Sequence, residues 1–444
     1  MTLTSVKSAM VTKVLVKTVL VKKVLVVWEH GGGLGHLARL LPIMQTLRAR
    51  GHDVVFAAAR PELMVPVLVG TGITVVQAPQ VQVGLRYDTA ALCPADIWLR
   101  CGFASPPHAA VCVRQWLALF DRLQPASVLV DASPLALYAA LVAGLPAVQL
   151  GNGFELPPAL PGQSYSPWLA DVDAGIAHSE LVLESAMAGL AGALAKDFRA
   201  ETVDGLARAR SIRAVQSLSI PALCTWPEMD HFDRAADGAE FIGPIWSDLP
   251  GGIAVTWPDK PGPKVLCSLG MTDNRYDLLW QALQMHGANV VVLSPSGIDG
   301  VCALARGWGV MVCQHAVAPG KLMAECDAVI SHGGSGLTST ALHAGKPFMA
   351  LPSHLEQGLL AYQLAQRGLA ISSLRPFNKT QVQARAAQLL HDTELRKRVS
   401  DMSRRYAGYL PQHAADRVAD MLLGSATPTD SKIKLPERAE CLPL

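Results

Sequence analysis

Apolar residues along this 444-residue chain fall into two alternating patterns. Short runs in which nearly every position is apolar and many are β-branched, such as VKKVLVVWE from Val21, predict strands buried on both faces. Between them apolar residues return at three- and four-residue spacing, as in LARLLPIMQTLRARG. That spacing predicts a helix, and Gly51 marks its stop. Further strands are predicted at 53–59, 72–78, 127–131, 145–151, 174–179 and 238–246, with a helix near 135–143. A stretch rich in proline and glycine, 247–263, reads as a linker. The pattern then restarts with strands at 264–270, 288–295, 309–315, 327–334 and 347–353. Helices are predicted at 276–285, 321–325 and 337–344, and the chain from 381 to 423 reads as helical.

Strand–helix alternation twice over, split by a proline- and glycine-rich joint, predicts an α/β protein of two facing Rossmann-like domains with a crevice between them. The expected division is an N-terminal extension (1–20), a first domain (21–246), the linker (247–263), a second domain (264–380), C-terminal helices partly packing back on the first domain (381–423) and a tail (424–444).

Composition narrows the classes of function. Half of the residues are hydrophobic and 17% are charged, which excludes a mainly disordered chain. Thirty-eight Lys and Arg against 36 Asp and Glu leave a net charge of +2, so no nucleic-acid partner is expected. Nine scattered cysteines without a CxxC pair point to reduced thiols in a cytoplasmic protein rather than a disulfide framework or a metal site. No run reaches the roughly 20 apolar residues of a spanning helix. The lysine-interleaved N-terminus lacks the layout of a secretory signal, and a weak contact with the inner membrane face is its second reading.

Two glycine-rich turns carry the candidate chemistry. HGGGLGH (30–36) has His36 where a dinucleotide fingerprint would have its last glycine, and no acidic residue ends the next strand; NAD and FAD sites are therefore not expected. The turn sets His36 at the start of a helix near the carboxyl edge of the sheet. Asp131 ends a neighbouring strand at the same edge and could fix the ring tautomer, leaving the other nitrogen to act as a base. Asp131 could equally cap the helix that follows it. His30, beside Glu29, is the rival base. Nucleophile-elbow, P-loop and HExxH patterns are absent.

The second turn lies in DAVISHGGSGLTSTALHAGKPFMALPSHLEQ. A strand delivers His332 to its end, Gly333, Gly334 and Gly336 keep the turn slim, and a helix N-terminus follows. Such a place suits a phosphate, with the Ser335 and Thr338 hydroxyls as added donors. Ser268 and Gly270 would form the other wall, and Glu356 and Gln357 could grip the hydroxyls of a sugar-sized group.

These segments resemble the nucleotide-sugar-dependent glycosyltransferases of the GT-B fold, in the branch that holds the UDP-glycosyltransferases and the bacterial macrolide, glycopeptide and sterol enzymes. The resemblance rests on Gly35-His36, Arg50-Gly51-His52, His332-Gly333-Gly334 with Gly336 and Thr338, Ala344-Gly345-Lys346-Pro347, and Pro352 followed by Glu356-Gln357. It implies an inverting transfer of a hexose-type sugar from a nucleoside diphosphate, UDP favoured and dTDP next, to a hydroxyl of a small-molecule, natural-product or lipid acceptor. By that resemblance His36 is the base and Asp131 its partner. Ser268, Gly270, His332, Gly333, Gly334, Ser335, Gly336 and Thr338 meet the diphosphate, and Glu356 and Gln357 meet the sugar. No tightly bound cofactor and no metal are implied. Leu337 and Thr340 depart from common members of the family and leave the nucleotide open. Monomer and homodimer remain equal readings. Competing readings are a MurG-like N-acetylglucosaminyltransferase acting on a lipid-linked acceptor, a sugar-nucleotide epimerase, and a non-catalytic partner protein. The acceptor pocket is expected among residues 78–120 and 150–170, with Trp98, Phe103, Trp116, Phe154 and Trp168.

Overall fold

The computed structural model describes residues 21–31, 34–81, 89–197, 210–232, 234, 240–271, 276–373 and 378–424. The expectations for the N-terminal extension and for the tail beyond Gly424 lie outside these residues, as do Gly32 and Gly33. Two six-stranded parallel sheets form the framework. The first joins β1 (Lys23–Trp28), β2 (Asp53–Ala58), β3 (Thr74–Gln77), β4 (Ser127–Asp131), β5 (Ala147–Gly151) and β6 (Ile220–Leu223) in the order β3-β2-β1-β4-β5-β6. The second joins β7 (Lys264–Ser268), β8 (Asn289–Leu293), β9 (Met311–Cys313), β10 (Ala328–Ser331), β11 (Phe348–Ala350) and β12 (Ile371–Ser372) in the order β12-β11-β10-β7-β8-β9. This is the two-domain α/β architecture of the GT-B fold.

Helices cover both faces of each sheet, which is why the strands read as unbroken apolar runs. In β1, Val24, Val26 and Trp28 enter one core while Leu25 and Val27 enter the other. The register places Trp28 opposite Asp131 and Ser331 opposite Ser268. In each sheet the first strand therefore ends beside the strand where the winding reverses, and a crevice opens at that point.

Two predicted strands are corrected. Residues 174–179 lie within a helix, Asp173–Leu194, whose buried residues Ile176, Leu183, Met187, Leu190 and Leu194 follow a helical period. A six-residue window was too short to show that period. The described part of 238–246 makes only a single bridge, Leu223 to Phe241, and the sheet edge belongs to β6 instead. Pro221 hid that strand from a propensity reading, yet an edge position tolerates a residue without an N–H.

The chain crosses back at its end. The helix Pro411–Leu423 packs on the helix Gly35–Ala49, where Arg50 meets Asp420 at 2.6 Å and Gln412 donates to the Thr46 hydroxyl at 2.6 Å. Trp226 stacks on Tyr406 with ring centroids 4.4 Å apart, and the Tyr406 hydroxyl donates to buried Glu228 at 2.7 Å. The Tyr409 hydroxyl donates to the Pro244 carbonyl at 2.7 Å. Among the described residues no helix is long and apolar enough to cross a membrane.

Behind the end of β1 lies a buried carboxyl. Glu29 Oε1 accepts from Trp116 Nε1 at 2.5 Å and from the Ala136 N–H at 3.1 Å. Burial outweighs these bonds and raises its pKa from 4.5 to about 8.

Two predictions follow from these contacts. Gly243 has φ +84°, and a Cβ there would come within 2.4 Å of the Tyr409 hydroxyl. Gly243→Ala should cost roughly 2–4 kcal/mol through backbone strain and overpacking, and an unchanged melting temperature would refute it. For Glu29 the folded pKa of about 8 stands above the ordinary 4.5, so stability is full below pH 4.5 and is lost as pH rises toward 8. Glu29→Gln keeps the Oε1 acceptor and should abolish that decline, so that the variant melts above the parent at pH 8. Parallel melting curves across pH would contradict the assignment.

Candidate active site

The cluster around His36 starts from the Gly35–Ala49 helix. Position 36 puts its imidazole over the carboxyl ends of β1 and β4, stacked on Trp28 with centroids 5.4 Å apart. Gly31 makes room for the ring: at φ +121°, a Cβ there would sit 2.7 Å from His36 Nε2. Asp131, wholly buried at the end of β4, lies with Oδ2 2.9 Å from His36 Nδ1. A buried carboxylate accepts here, so in the neutral ring Nδ1 carries the proton and Nε2 keeps its lone pair, with Arg39 Nη2 also 3.2 Å from Nδ1. Burial, the largest influence on His36, lowers its pKa, and Arg39 lowers it too. The charge and hydrogen bond of Asp131, with Glu155, more than offset them, so the pKa is raised above 6.5.

Asp131 does not cap the following helix through its side chain. That helix starts after Ser133, whose hydroxyl donates to the Asp131 carbonyl and accepts from the Glu29 N–H, each at 2.7 Å. His30 Nε2 lies 3.9 Å from Glu29 Oε2, beyond hydrogen-bond reach, and Glu29 is mostly uncharged at neutral pH.

Arg39 and Glu155 escaped the sequence reading. Arg39 bonds Asp131 Oδ1 and is gripped by both oxygens of Glu155, at 2.7 and 2.8 Å. One helical turn separates it from His36, so the spacing could have paired the two. Glu155 follows β5 at the same sheet edge that singled out Asp131. His36, Asp131 and Glu155 could offer three metal-ligating atoms, but the Arg39 guanidinium already bonds both carboxylates.

On the opposite wall the second sheet presents its own turn. His332 accepts from the Gly270 N–H through Nε2 at 2.8 Å and reaches the Leu351 carbonyl through Nδ1 at 2.9 Å. Both nitrogens thus hold backbone, and the ring staples the end of β7 to the end of β11. Thr338, expected to face a phosphate, is fully buried and donates its hydroxyl to the Gly334 carbonyl at 2.9 Å. A hydroxyl one turn inside a helix bonds back to the preceding turn more readily than it reaches outward. The Gly333 N–H donates to Ser331 Oγ at 3.0 Å. Ser335 opens the helix Ser335–His343, whose N-terminus no side chain caps. Its first N–H groups and positive dipole end face the crevice. A Cβ at Gly334 or Gly336 would meet nothing within 4 Å, so these two glycines border open space.

One residue that the sequence did not single out bridges the two walls. Asn152, just beyond β5, donates through Nδ2 to Glu356 Oε1 and Ser335 Oγ, both at 2.8 Å. Its Oδ1 accepts from the Phe154 N–H at 2.9 Å, which fixes the amide orientation. Gln357 Oε1 accepts from Ser353 at 2.9 Å.

Two cavities meet at His36. One, of about 800 Å³, runs between the sheets and is lined by His36, Ser268, His332, Gly334, Ser335, Gly336, Glu356 and Gln357, but not by Gly270, Gly333 or Thr338. The other, of about 560 Å³, lies over the first sheet and takes Trp98, Leu137, Phe154, Tyr165 and Gln149 into its wall. Of the expected pocket aromatics, Phe103 and Trp116 are buried core, and Trp168 contacts Tyr362 across the crevice.

Comparisons with known proteins find relatives of the same fold. Residues 309–421 match the family described as the C-terminal domain of erythromycin biosynthesis protein CIII-like proteins. The L-demethylnoviosyl transferase of Streptomyces niveus is 27% identical over 410 residues, 87% of this chain and 90% of its own. The NDP-glycosyltransferase YjiC of Bacillus subtilis (strain 168) is 24% identical over 196 residues, 41% of this chain; the match spans about half of YjiC, 48%. Among solved structures, the glycotransferase of kitacinnamycin superposes with TM-score 0.65 at 18% identity, covering 91% of this chain and all of that one. The spinosyn rhamnosyltransferase SpnG, solved with thymidine diphosphate, gives 0.58 at 19%, covering 90% and 100%. At those identities the structural likeness speaks for the fold alone. Fold, C-terminal family match and curated relatives converge: the chain has the GT-B fold and resembles the nucleotide-sugar-dependent glycosyltransferases of the bacterial macrolide and natural-product type.

Proposed function

We propose that the protein transfers a hexose-type sugar, with inversion, from a nucleoside diphosphate in the larger cavity to a hydroxyl of an acceptor held over the first sheet. The observation that carries this reading is the His36–Asp131 pair: Nδ1 is held by a buried carboxylate, and the side chain stands where the two cavities join. His36 Nε2 takes the acceptor's hydroxyl proton as the oxygen attacks the anomeric carbon. The new C–O bond forms as the bond to the diphosphate breaks, and the nucleoside diphosphate leaves with the electron pair. The uncapped N-terminus of the Ser335–His343 helix, with Ser335, meets the charge that develops on the diphosphate. Glu356 and Gln357 are assigned to the sugar hydroxyls, and His332 holds the turn that shapes the phosphate site.

Two features bear on the substrates. The thymidine diphosphate in the spinosyn rhamnosyltransferase structure supports testing dTDP-sugars beside UDP-sugars. The acceptor cavity, with Trp98, Leu137, Phe154 and Tyr165 in its wall, favours an apolar, ring-bearing acceptor. Gln149 also lines it, and its buried Oε1 has no hydrogen-bond partner among the described residues; a hydrogen-bond donor on the acceptor would satisfy it.

His36→Ala should lower kcat for transfer by about 10²–10⁴-fold, the usual contribution of a general base, while the donor Kd changes little. Steady-state transfer from UDP-glucose or dTDP-glucose to umbelliferone, a fluorescent fused-ring phenol, reads kcat, and calorimetric titration with the donor reads Kd. An unchanged kcat would sink the assignment.

A further inference from the structure

Between the base and the donor wall stands a buried ion group that the mechanism above leaves without a task. Asp131 divides its two oxygens: Oδ2 takes His36 Nδ1, and Oδ1 takes the Arg39 guanidinium. The guanidinium is in turn forked onto Glu155, with Nη1 to Oε2 at 2.7 Å and Nη2 to Oε1 at 2.8 Å. Glu155 is anchored from the other side by the Asn152 N–H at 2.8 Å. An isolated carboxylate at the end of a strand can rotate about its own axis and offer either oxygen to the ring. Here rotation of Asp131 would break its bond to Arg39, and movement of Arg39 would break two more to Glu155.

We propose that Arg39 and Glu155 are positioning residues that lock Asp131 in the rotation presenting Oδ2 to His36, and that they set the charge against which His36 accepts its proton. The proposal rests on the reading of His36 as the base. A buried ion pair is a poor source of stability, because desolvation offsets most of its attraction. A forked arginine does, however, fix orientation, since its planar donors match two carboxylate oxygens at once.

The charge count supports the second part. Asp131, Arg39 and Glu155 together carry −1 toward the ring, so proton uptake by His36 makes the group neutral. Without Arg39 the ring would face −2 and hold its proton too firmly to act as a base near neutrality. Without Glu155 it would face zero, and the imidazolium would lose support. The directions agree. Burial acts most strongly on both groups, and it would lower His36 and raise Glu155. Asp131 and Glu155 offset it at the ring, while Arg39, its hydrogen bond and His36 hold Glu155 down to about 2. Other titratable groups near the cluster include Glu356, reached through Asn152, His231 and Tyr165, which feel the charge of Glu155, half-buried His30 beside the protonated Glu29, and the Cys224 thiol near Arg39, which burial pushes up to about 12.

The test uses Arg39→Met, Glu155→Gln and the two combined in the full chain. The His36 midpoint is read by NMR of labelled histidines, assigned with His36→Gln. The acidic limb of kcat/KM is read with UDP-glucose or dTDP-glucose and umbelliferone. Arg39→Met should move the midpoint up and Glu155→Gln should move it down, each by about one unit. The double variant restores −1 and should return the midpoint near the parent's, while kcat stays at least tenfold low because Asp131 is no longer held. Midpoints that do not move in opposite directions overturn the electrostatic part, and a double variant with parental kcat overturns the positioning part. Should a charge-removing variant fail to fold, Arg39→Lys and Glu155→Asp keep the charge and change only the geometry. They should lower kcat with the limb in place, and parental kcat in both would again overturn positioning. Full transfer by His36→Gln would instead defeat the base assignment, while the NMR midpoints would still decide the charge effect of the pair.

Discussion

In a parallel sheet every strand ends at the same edge, and where the winding reverses two neighbouring strands send their chains to opposite faces. That constraint governs this protein twice. In the first sheet β1 and β4 part company, leaving Asp131 beside the turn that carries His36. In the second sheet β7 and β10 do the same, leaving Ser268 beside the His332 turn. Both reversals line one crevice, and the final helix returns to pack on the first half. The chemistry is thus placed by topology before any individual side chain is chosen. Glycines at both turns then let imidazoles approach where a Cβ would block them or fill the space.

What could be read from the sequence followed from signals confined to a few residues. Ten of the twelve strands among the described residues announced themselves as short apolar runs, and the two glycine-rich turns carried their own spacing. The misreadings arose where a signal was longer, or came from partners far away. The run at 174–179 is β-like by itself and helical only across the 22 residues of its helix. β6 carries a proline that only an edge position can accommodate, and edges are not visible in one dimension. Glu155 and Asn152 follow a buried strand as an ordinary-looking loop. Their importance comes from Arg39, 116 residues before Glu155, and from Glu356, 204 residues beyond Asn152.

The two histidines at the crevice show why residue type alone cannot assign a role. Each ends or follows a strand in a glycine-rich turn, and in the sequence they look equivalent. An imidazole has two nitrogens, and its role depends on what remains after the protein has bonded it. At His332 a backbone N–H and a backbone carbonyl engage one nitrogen each, so the ring acts as a cross-link between β7 and β11. For that ring to bind a phosphate oxygen, it would first have to give up the Gly270 N–H and take a proton. At His36, among the described residues, only Nδ1 is engaged, and by a carboxylate rather than a carbonyl. A carboxylate gains as the ring becomes positive, whereas a carbonyl gains far less. The second partner of each ring, not the histidine itself, separates a base from a staple. In this chain the partner of the proposed base, Asp131, is itself held by Arg39, which Glu155 grips in turn.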